Sequence, residues 1–493
     1  MLGQKRPAGE SVEDTPAASQ GLPRELVLVL GLLLAGAFVM ILNETIMSVA
    51  LPTLMAEFSI EAATAQWLTT GFLLTMAVVI PTTGLILQRF ATRTVFVAAL
   101  ALFTLGTALC AIAPTFPLLV AGRIVQAAGT AIVLPLLMTT VMTLVPVSRR
   151  GRTMGLISIV IAVAPAVGPT YSGFVLDSLG WRWMFITVFP VAIIVLVVGA
   201  VMVKDFSTRT PTRLDVLSLI LSALGFGGLV YGLSSLGKSA GSASSAVATG
   251  VLVVGVLTLG LFVWRQLVLQ RGGRALLDLR PFRVRTFTVG LTMMMVSMSA
   301  LFGTLILLPL YLQDVRALDT LQTGLILLPG GVAMGLVAPF VGRAFDRVGP
   351  RPLVIPGAFG IALALGGMVV LDGSSSLTQV IATHIVLHIS LGLVMTPLMT
   401  ASLGSLPPEL YSHGSAIMNT LQQLAGAAGT ALFITVMTAA ASKSAQAGAA
   451  TAAMEGINAA FLVGAVLAGA AALLSFTVRS SATTGSAPAA GLH

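Results

Sequence analysis

Fourteen apolar stretches, each about 20 residues long, follow one another through almost the whole chain, and each is long enough to cross a bilayer as a helix. They fall at 26–50, 66–87, 94–113, 117–145, 154–176, 182–203, 216–236, 247–264, 287–312, 322–342, 353–371, 379–403, 415–440 and 457–478. Short charged or Pro/Gly-rich connections separate them. Only 9% of residues are charged and the mean hydropathy is +1.01. Soluble domains carry about 25% charge, so lipid is the solvent of this chain. The fold class that follows is an all-α integral membrane protein.

The basic residues test this count independently. With the N-terminus in the cytosol, the cytosolic connections hold Arg89, Arg93, Arg149, Arg150, Arg152, Lys204, Arg209, Arg213, Arg265, Arg271, Arg274, Arg280, Arg283, Arg285, Arg343, Arg347, Arg351 and Arg479. The opposite connections hold only Arg182, Lys238, Arg316 and Lys443. One span too many or too few would scramble that alternation. Both termini are therefore expected in the cytosol of a plasma membrane. Abundant Arg over Lys, with much Ala and Gly, fits a bacterial source. The same spread of charge argues against a nucleic-acid partner, which needs a clustered basic face. One cysteine, Cys110, excludes an intrachain disulfide and a cysteine-rich metal site. Residues 1–25 and 479–493 read as disordered tails. The apolar run from 26 is too long for a signal-peptide core. Trp67, Trp181, Trp183 and Trp264 fall near span ends, where aromatic anchoring is expected.

The two ends of the chain resemble each other weakly. A Gly-x-x-x-x-Arg connection follows the second span at Gly84 to Arg89, and a fuller form, Gly-Arg-Ala-Phe-Asp-Arg-Val-Gly-Pro-Arg over 342–351, follows the tenth. Internal repeats of this kind mark secondary transporters, with the substrate site between the repeats. This divides the chain into a six-helix bundle at 26–203, two extra spans with their linkers at 204–285, and a second six-helix bundle at 286–478.

Other motifs narrow the reading. The first span holds Leu-Asn-Glu-Thr-Ile-Met-Ser-Val-Ala-Leu-Pro over 42–52, and the fourth holds Gly-Arg-Ile-Val-Gln-Ala-Ala-Gly over 122–129. Gly168-Pro169 with Gly173 stands in the fifth, and Trp-Arg-Trp-Met-Phe over 181–185 follows it. Together with the 342–351 connection, these residues resemble the fourteen-span drug:proton antiporters of the major facilitator superfamily, and among them the lincomycin-resistance-type exporters. The resemblance extends over 26–478 and implies the major facilitator fold, with two six-helix bundles and two extra linker helices. There are departures. The commoner first-span pattern has Asp where this chain has Asn43, with the acid moved to Glu44. The first Gly-rich connection carries Gln88 where the family has Asp, and Ala91 where it has Gly. Ala164 and Ser172 occupy two usual glycine positions of the fifth span.

Of the seventeen acids, only Glu44 lies well inside a span, about six residues or roughly 9 Å from its outer end. Arg123 lies at a similar depth in the fourth span. Intramembrane charge is costly and points to function. The two suggest a pair, direct or through Gln126 and water, with a purely structural ion pair as the alternative. Proton binding by such a carboxylate depends on desolvation and on the distance to a guanidinium, so movement can load or release a proton. Asn43 is placed to hydrogen-bond either form. The resemblance implies this proton-coupling role for the first-span acid and the fourth-span Arg.

Pro165, Gly168, Pro169 and Gly173 give the fifth span a bend and a close-packed face. The resemblance implies an antiporter motif that seals the outer side; a generic packing kink is the alternative. Gly342, Asp346, Arg347, Gly349 and Arg351 form a cytosolic gating loop, or simply a basic loop that sets topology. His384 and His388 are four apart on one helix face. They are cavity candidates with Tyr171 and Met295, and packing is the favoured alternative for the histidines and the methionine. The histidines lack further ligands in that span, so no metal is expected.

Two matches mislead. Gly-Leu-Ser-Ser-Leu-Gly-Lys-Ser over 232–239 fits the phosphate-loop pattern but lacks the strand and cytosolic fold it requires, so no nucleotide is expected. Asn43-Glu-Thr45 fits a glycosylation pattern inside a span. The chain is thus expected to be a monomeric secondary transporter, not an enzyme, with no cofactor. Its partners would be a small-molecule substrate, protons and the lipid bilayer. The expected activity is proton-driven export of small amphipathic compounds by alternating access. A dedicated metabolite exporter or an uptake symporter is the rival on the same fold. A membrane enzyme would need a polar cluster that these short loops do not offer.

Overall fold

A computed structural model of the chain describes residues 23–203, 205, 215–236, 244–272, 274–444 and 448–478. The two expected tails and Lys238 of the phosphate-loop match lie outside these residues, apart from the last positions of the N-terminal tail. Fourteen long helices account for nearly all of the described chain, and there is no strand among the described residues. They are α1 (Arg24–Phe58), α2 (Trp67–Arg89), α3 (Thr92–Ile112), α4 (Phe116–Leu144), α5 (Arg150–Leu179), α6 (Trp183–Met202) and α7 (Val216–Leu236). There follow α8 (Ser244–Leu269), α9 (Arg285–Leu310), α10 (Thr320–Val348), α11 (Arg351–Val369), α12 (Leu377–Gly404), α13 (Tyr411–Lys443) and α14 (Ala449–Ser475). Thirteen are long and apolar enough to cross a membrane, counted over the described residues. The remaining one, α5, is 30 residues long and carries the Pro/Gly motif.

These sequences form helices because a chain in lipid must satisfy its backbone internally. Local signals set the ends. Asp319 accepts from the Gln322 backbone at 2.7 Å and Gln322 answers in a capping box at the start of α10. Ser376 caps α12 in the same sense. Gly180 (φ 86°) ends α5 and Gly349 (φ 76°) ends α10, backbone conformations that a side chain would strain.

The helix pairings repeat. In the first six helices α1 packs on α4, α5 and α6, α2 on α4, and α3 on α4 and α6. In the last six α9 packs on α12, α13 and α14, α10 on α12, and α11 on α12 and α14. Adding eight to each number of the first set gives the second. The two bundles meet through α5 on α10 and α2 on α13, and through α5 on α12 and α4 on α13, and the same rule exchanges the partners within each pair of contacts. Two six-helix bundles related by a pseudo-two-fold axis satisfy all of these pairings.

The extra helices α7 and α8 pack on each other through glycines. A Cβ on Gly228 would stand 2.9 Å from the Gly255 Cα, and one on Gly232 2.8 Å from the Leu252 Cβ. Helices without a hydrophobic drive between them associate by such close approach. α7 touches α2 and α13, one from each bundle. α8 presents Val253, Val254, Leu257, Leu261 and Trp264 outward, an apolar face suited to lipid. Beneath them, Arg265 grips Asp215 through two bonds of 2.7 and 2.9 Å. Gln266 bonds Ser218 at 2.7 Å and accepts from the Leu276 backbone at 2.8 Å, tying the α8–α9 connection to the pair.

The connections α2–α3, α4–α5, α6–α7, α8–α9, α10–α11 and α12–α13 share one end of the molecule, called the basic face below. Two details differ from the sequence expectations. α1 runs on through Pro52 to Phe58 rather than stopping near 50, and Ser59 closes it in the left-handed region (φ 51°). Trp181 is 4% exposed rather than an interfacial anchor. It is enclosed by Phe58 and Phe185, with the Arg182 guanidinium 4.2 Å above its ring. Trp67, Trp183 and Trp264 are exposed at helix ends as anchors would be.

Candidate functional site

Close packing of α3 on α4 creates a rigid pocket for one cation. A Cβ on Gly106 would meet the Gly122 carbonyl at 2.6 Å, and one on Gly122 would meet the Cys110 Sγ at 2.7 Å. The backbones can approach this closely only because both positions lack side chains. Arg123, the residue after Gly122, is 1% exposed. Its guanidinium lies 4.2 Å above the Phe72 ring of α2. One terminal nitrogen donates to the Asn43 Oδ1 at 2.6 Å, to the Asn43 carbonyl at 3.3 Å and to the Gln126 Oε1 at 2.8 Å. Gln126 in turn donates to the Thr107 hydroxyl at 2.7 Å, and Thr107 to the Phe103 carbonyl at 2.7 Å. The Arg123 Nε has no partner among the described residues.

Every hydrogen-bond acceptor that holds Arg123 is neutral. Glu44, the next residue of α1 after Asn43, is half-buried, and no ion pair within 4.0 Å joins it to Arg123. The Asn43 side chain is fully buried against Arg123, and Glu44, one residue on, leaves α1 about 100° further round. An Asn at this position can hold a guanidinium without neutralising it.

α5 reaches α1 beside Glu44. Gly168 faces the Thr45 side chain so closely that a Cβ would collide with its hydroxyl, and Ser172 donates to the Ile46 carbonyl at 3.0 Å. Pro165 is half-buried, Gly173 has open space in front of it, and the side chain of Pro169 lies outside the described residues. Tyr171 is half-buried. Its hydroxyl is bonded to Thr187 of α6, since α5 turns that face toward its neighbour in the bundle. Met295 packs against the main apolar core.

A second cluster closes the basic face. The Asp346 carboxylate accepts from the backbone N–H groups of Gly151 (2.7 Å) and Arg152 (2.8 Å), the first turn of α5. Those N–H groups are free because a helix start leaves them unpaired, and the helix dipole favours an anion there. Gly342 permits the approach, as a Cβ there would stand 3.2 Å from the Arg152 Cα. Arg347 and Arg351 are exposed beside it and Gly349 turns the chain into α11. The symmetry-related contact is weaker in kind: the Gln88 amide donates to the Glu409 carbonyl at 2.9 Å, and Gly84 faces His413. Deeper between the bundles, Thr139 meets Ser415 at 3.3 Å and Ser158 meets Thr396 at 2.7 Å. All of these bonds between bundles lie from the basic face to about mid-depth. Among the described residues none joins the bundles in the half that holds Glu44 and Arg123.

His384 and His388 pack together with ring centres 4.2 Å apart, buried against Gly330 of α10. His388 bonds the His384 carbonyl at 3.0 Å. Sequence reasoning did not find Phe72, Thr107 or the Ser158–Thr396 contact. Phe72, Thr107 and the Ser158–Thr396 pair carry no local signal, since a Phe, Ser or Thr in an apolar helix is ordinary; only Gln126, three residues after Arg123, pointed toward this network.

Comparison with known proteins agrees with this architecture. The Major Facilitator Superfamily signature matches residues 33–430. The chain is 41% identical to the uncharacterized MFS-type transporter YcnB of Bacillus subtilis over 92% of its own length and 94% of that protein. It is 44% identical to the lincomycin resistance protein LmrB of Listeria monocytogenes over 84% of its length and 87% of that protein. The solved structure of the human organic anion transporter MFSD10 shares its fold, with a TM-score of 0.65 at 15% identity, over 92% of this chain and all of that one. The protein is a multi-pass membrane transporter rather than an enzyme, and it belongs to the Major Facilitator Superfamily.

Proposed function

We propose that this protein is a proton-driven antiporter that exports small amphipathic compounds across the plasma membrane by alternating access, with its basic face in the cytosol. The observation that carries the proposal is the arrangement at mid-membrane: a buried Arg123 held by neutral groups only, and beside it the one carboxylate well inside a span. A buried cation without an anion in contact is costly, so Glu44 is held by its charge next to Arg123 when ionised and released when protonated. That is the coupling an antiporter needs. The names of similar proteins, which include lincomycin resistance, support an antibiotic as cargo.

We read this arrangement as one end state of that cycle. Asp346 on the start of α5, with the Ser158–Thr396 and Thr139–Ser415 contacts behind it, shuts the cytosolic side. Glu44 lies in the half where no such bonds form. In this state cargo leaves outward and a proton enters from outside to neutralise Glu44. Rocking of the two bundles about mid-depth then opens the basic face, where the proton leaves and a new cargo molecule binds. The close Gly168–Thr45 contact lets α1 and α5 move as one unit, so that the acid moves with its bundle.

Everted membrane vesicles carrying the protein test this directly. With an imposed gradient, acid inside, they are expected to accumulate lincomycin or a similar amphipathic antibiotic. Collapse of the gradient by an ionophore is expected to release it. Accumulation that persists without a gradient would refute proton drive, and cargo movement out of the vesicles on the same gradient would favour symport.

A further inference from the structure

The connection from α8 to α9 runs along the basic face and reaches the seam between the two bundles. Residues 275–278 of it are buried, with Leu276 and Leu277 in the main apolar core. Two glutamines of its own helix end pin it. The Gln266 Oε1 accepts from the Leu276 backbone at 2.8 Å and the Leu277 backbone at 3.2 Å, and the Gln270 Oε1 accepts from the Leu279 backbone at 3.3 Å. Between these, the Asp278 backbone N–H donates to the Nδ1 of His413 at 3.3 Å. His413 is the third residue of α13 and is buried. Gly84 of α2 presses on the same nitrogen, since a Cβ there would stand 2.6 Å from it. In the symmetry-related seam Gly342 of α10 faces Gly151 of α5 instead. A titratable ring thus occupies the α2–α13 seam where the α10–α5 seam has a glycine.

The hydrogen bond fixes the protonation state of that ring. Nδ1 accepts, so it carries a lone pair, and the neutral imidazole keeps its proton on Nε2. A proton on Nδ1 would turn the acceptor into a donor, aim it at the Asp278 N–H, and bury a charge without a partner. The Asp278 carboxylate is already taken. It accepts from the Arg280 side chain at 2.7 and 2.6 Å and from the Arg280 backbone at 2.9 Å. Asp278 and Arg280, opposite in sign, are the charges that act on His413. Around them, Arg150 of α5 lies 5.6 Å from the Tyr411 ring, Arg89 of α2 lies 5.6 Å from the Phe90 ring, and Asp215 before α7 is held by Arg265. Glu409 and Arg285 are exposed. α4 and α14 carry charge only in the other half, at Arg123 and Glu455.

We propose that His413 is a pH-sensitive catch on the α2–α13 seam. Neutral, it joins the α8–α9 connection to α13 under Gly84 and holds the basic face shut. Protonated from the cytosol once that face has opened, it opposes reclosure. The proposal rests on the transport reading above, in which the basic face opens to the cytosol. In the open form the imidazole meets water, where an unperturbed histidine titrates at about 6.5. The closed form binds no proton at Nδ1, so closure is undiminished above that pH and weakens as pH falls below it. An acid cytosol then stalls the carrier before it admits more protons, and α7 and α8 take part in this control through the connection they anchor.

Spin labels across the basic face test this in the full chain in lipid nanodiscs. Cys110 is replaced, and cysteines are placed at the exposed Thr94 of α3 and the exposed Thr477 after α14, one in each bundle. Glu44→Gln is included so that the coupling proton does not contribute to the response. Between pH 8 and pH 5.5, the ratio of long to short label distances is expected to rise about tenfold with His413 present. His413→Asn can set an amide oxygen close to the place of Nδ1 but cannot titrate, so it should keep the short distance at both values. His413→Gln, which also cannot titrate, should show the same ratio at both pH values. A ratio that stays constant with His413 present, or that rises equally in His413→Asn and His413→Gln, would overturn the catch. Proton-driven drug accumulation by the wild type in vesicles is measured separately. Its presence alongside a missing pH response would sink the catch alone, and its absence would sink the transport reading.

Discussion

A guanidinium enclosed by Phe72, Asn43 and Gln126 is stabilised by geometry more than by charge neutralisation, and this makes Arg123 sensitive to shape. Arg123→Ala would leave the Asn43 and Gln126 oxygens buried without donors, on the order of 2 kcal/mol or more. It should lower the melting temperature in detergent and abolish export. Arg123→Lys keeps the charge without the planar fork, and should fold but transport weakly. A fully active Arg123→Ala protein would contradict this account. Asn43 offers a sharper test. Its Oδ1 stands 2.6 Å from the guanidinium, so Asn43→Asp would set a carboxylate directly on the base. In a Glu44→Gln background, Asn43→Asp should restore part of the uphill flux; no recovery in a well-folded protein would show that the acid must sit at 44. Glu44 and Arg123 were legible in the sequence because charge inside an apolar run is rare. Their mutual geometry was not. That Asn43 rather than Glu44 contacts Arg123 depends on a rotation of one residue around α1, which spacing alone does not determine.

At the scale of elements, the contact between the bundles on the basic face is asymmetric. Asp346 accepts two charge-assisted bonds from the start of α5, whereas Gln88 donates one neutral bond near the start of α13. Asp346→Asn exchanges the anion for an amide and should weaken closure by about 1–3 kcal/mol. With Cys110 replaced and a cysteine placed at the buried Ser158, labelling by a thiol reagent should rise by about tenfold in Asp346→Asn. Unchanged labelling would argue that the latch does not hold the bundles together. The Asp215–Arg265 pair beneath α7 and α8 makes a pH prediction. Hydrogen bonds from Arg265 hold the Asp215 carboxyl down to about 2, against desolvation that pushes it up. A depressed value means the contribution is whole above the unfolded value near 3.8 and is lost as pH falls toward 2. The melting-temperature difference between wild type and Asp215→Asn should therefore be constant from pH 7 to about 5 and shrink below about 4. A difference that grew toward acid would contradict the pairing. The helices themselves were legible from hydropathy, down to the count of fourteen. Trp181 was not, because an aromatic at a span end looks alike whether it meets headgroups or, as here, Phe58 and Phe185.

For the whole molecule, the repeated pairing of helices, and hydrogen bonds between bundles that lie toward one face among the described residues, fit the proposed carrier with that side shut. The proposal places that side in the cytosol, as the alternation of Lys and Arg leads one to expect. With Cys110 replaced, a cysteine at Ser242 should react with an impermeant thiol reagent in intact cells, and one at Ser207 should not. The reverse pattern would invert the transport direction proposed here. The central claim is that proton binding at Glu44 drives export, and the most direct measurement compares wild type with Glu44→Gln in vesicles under two regimes. Glu44→Gln keeps shape and most hydrogen bonding but cannot ionise. It should lose proton-driven accumulation of the drug while retaining downhill exchange of labelled for unlabelled drug. If Glu44→Gln still concentrated the drug with wild-type dependence on the proton gradient, the carboxylate would not be the coupling site.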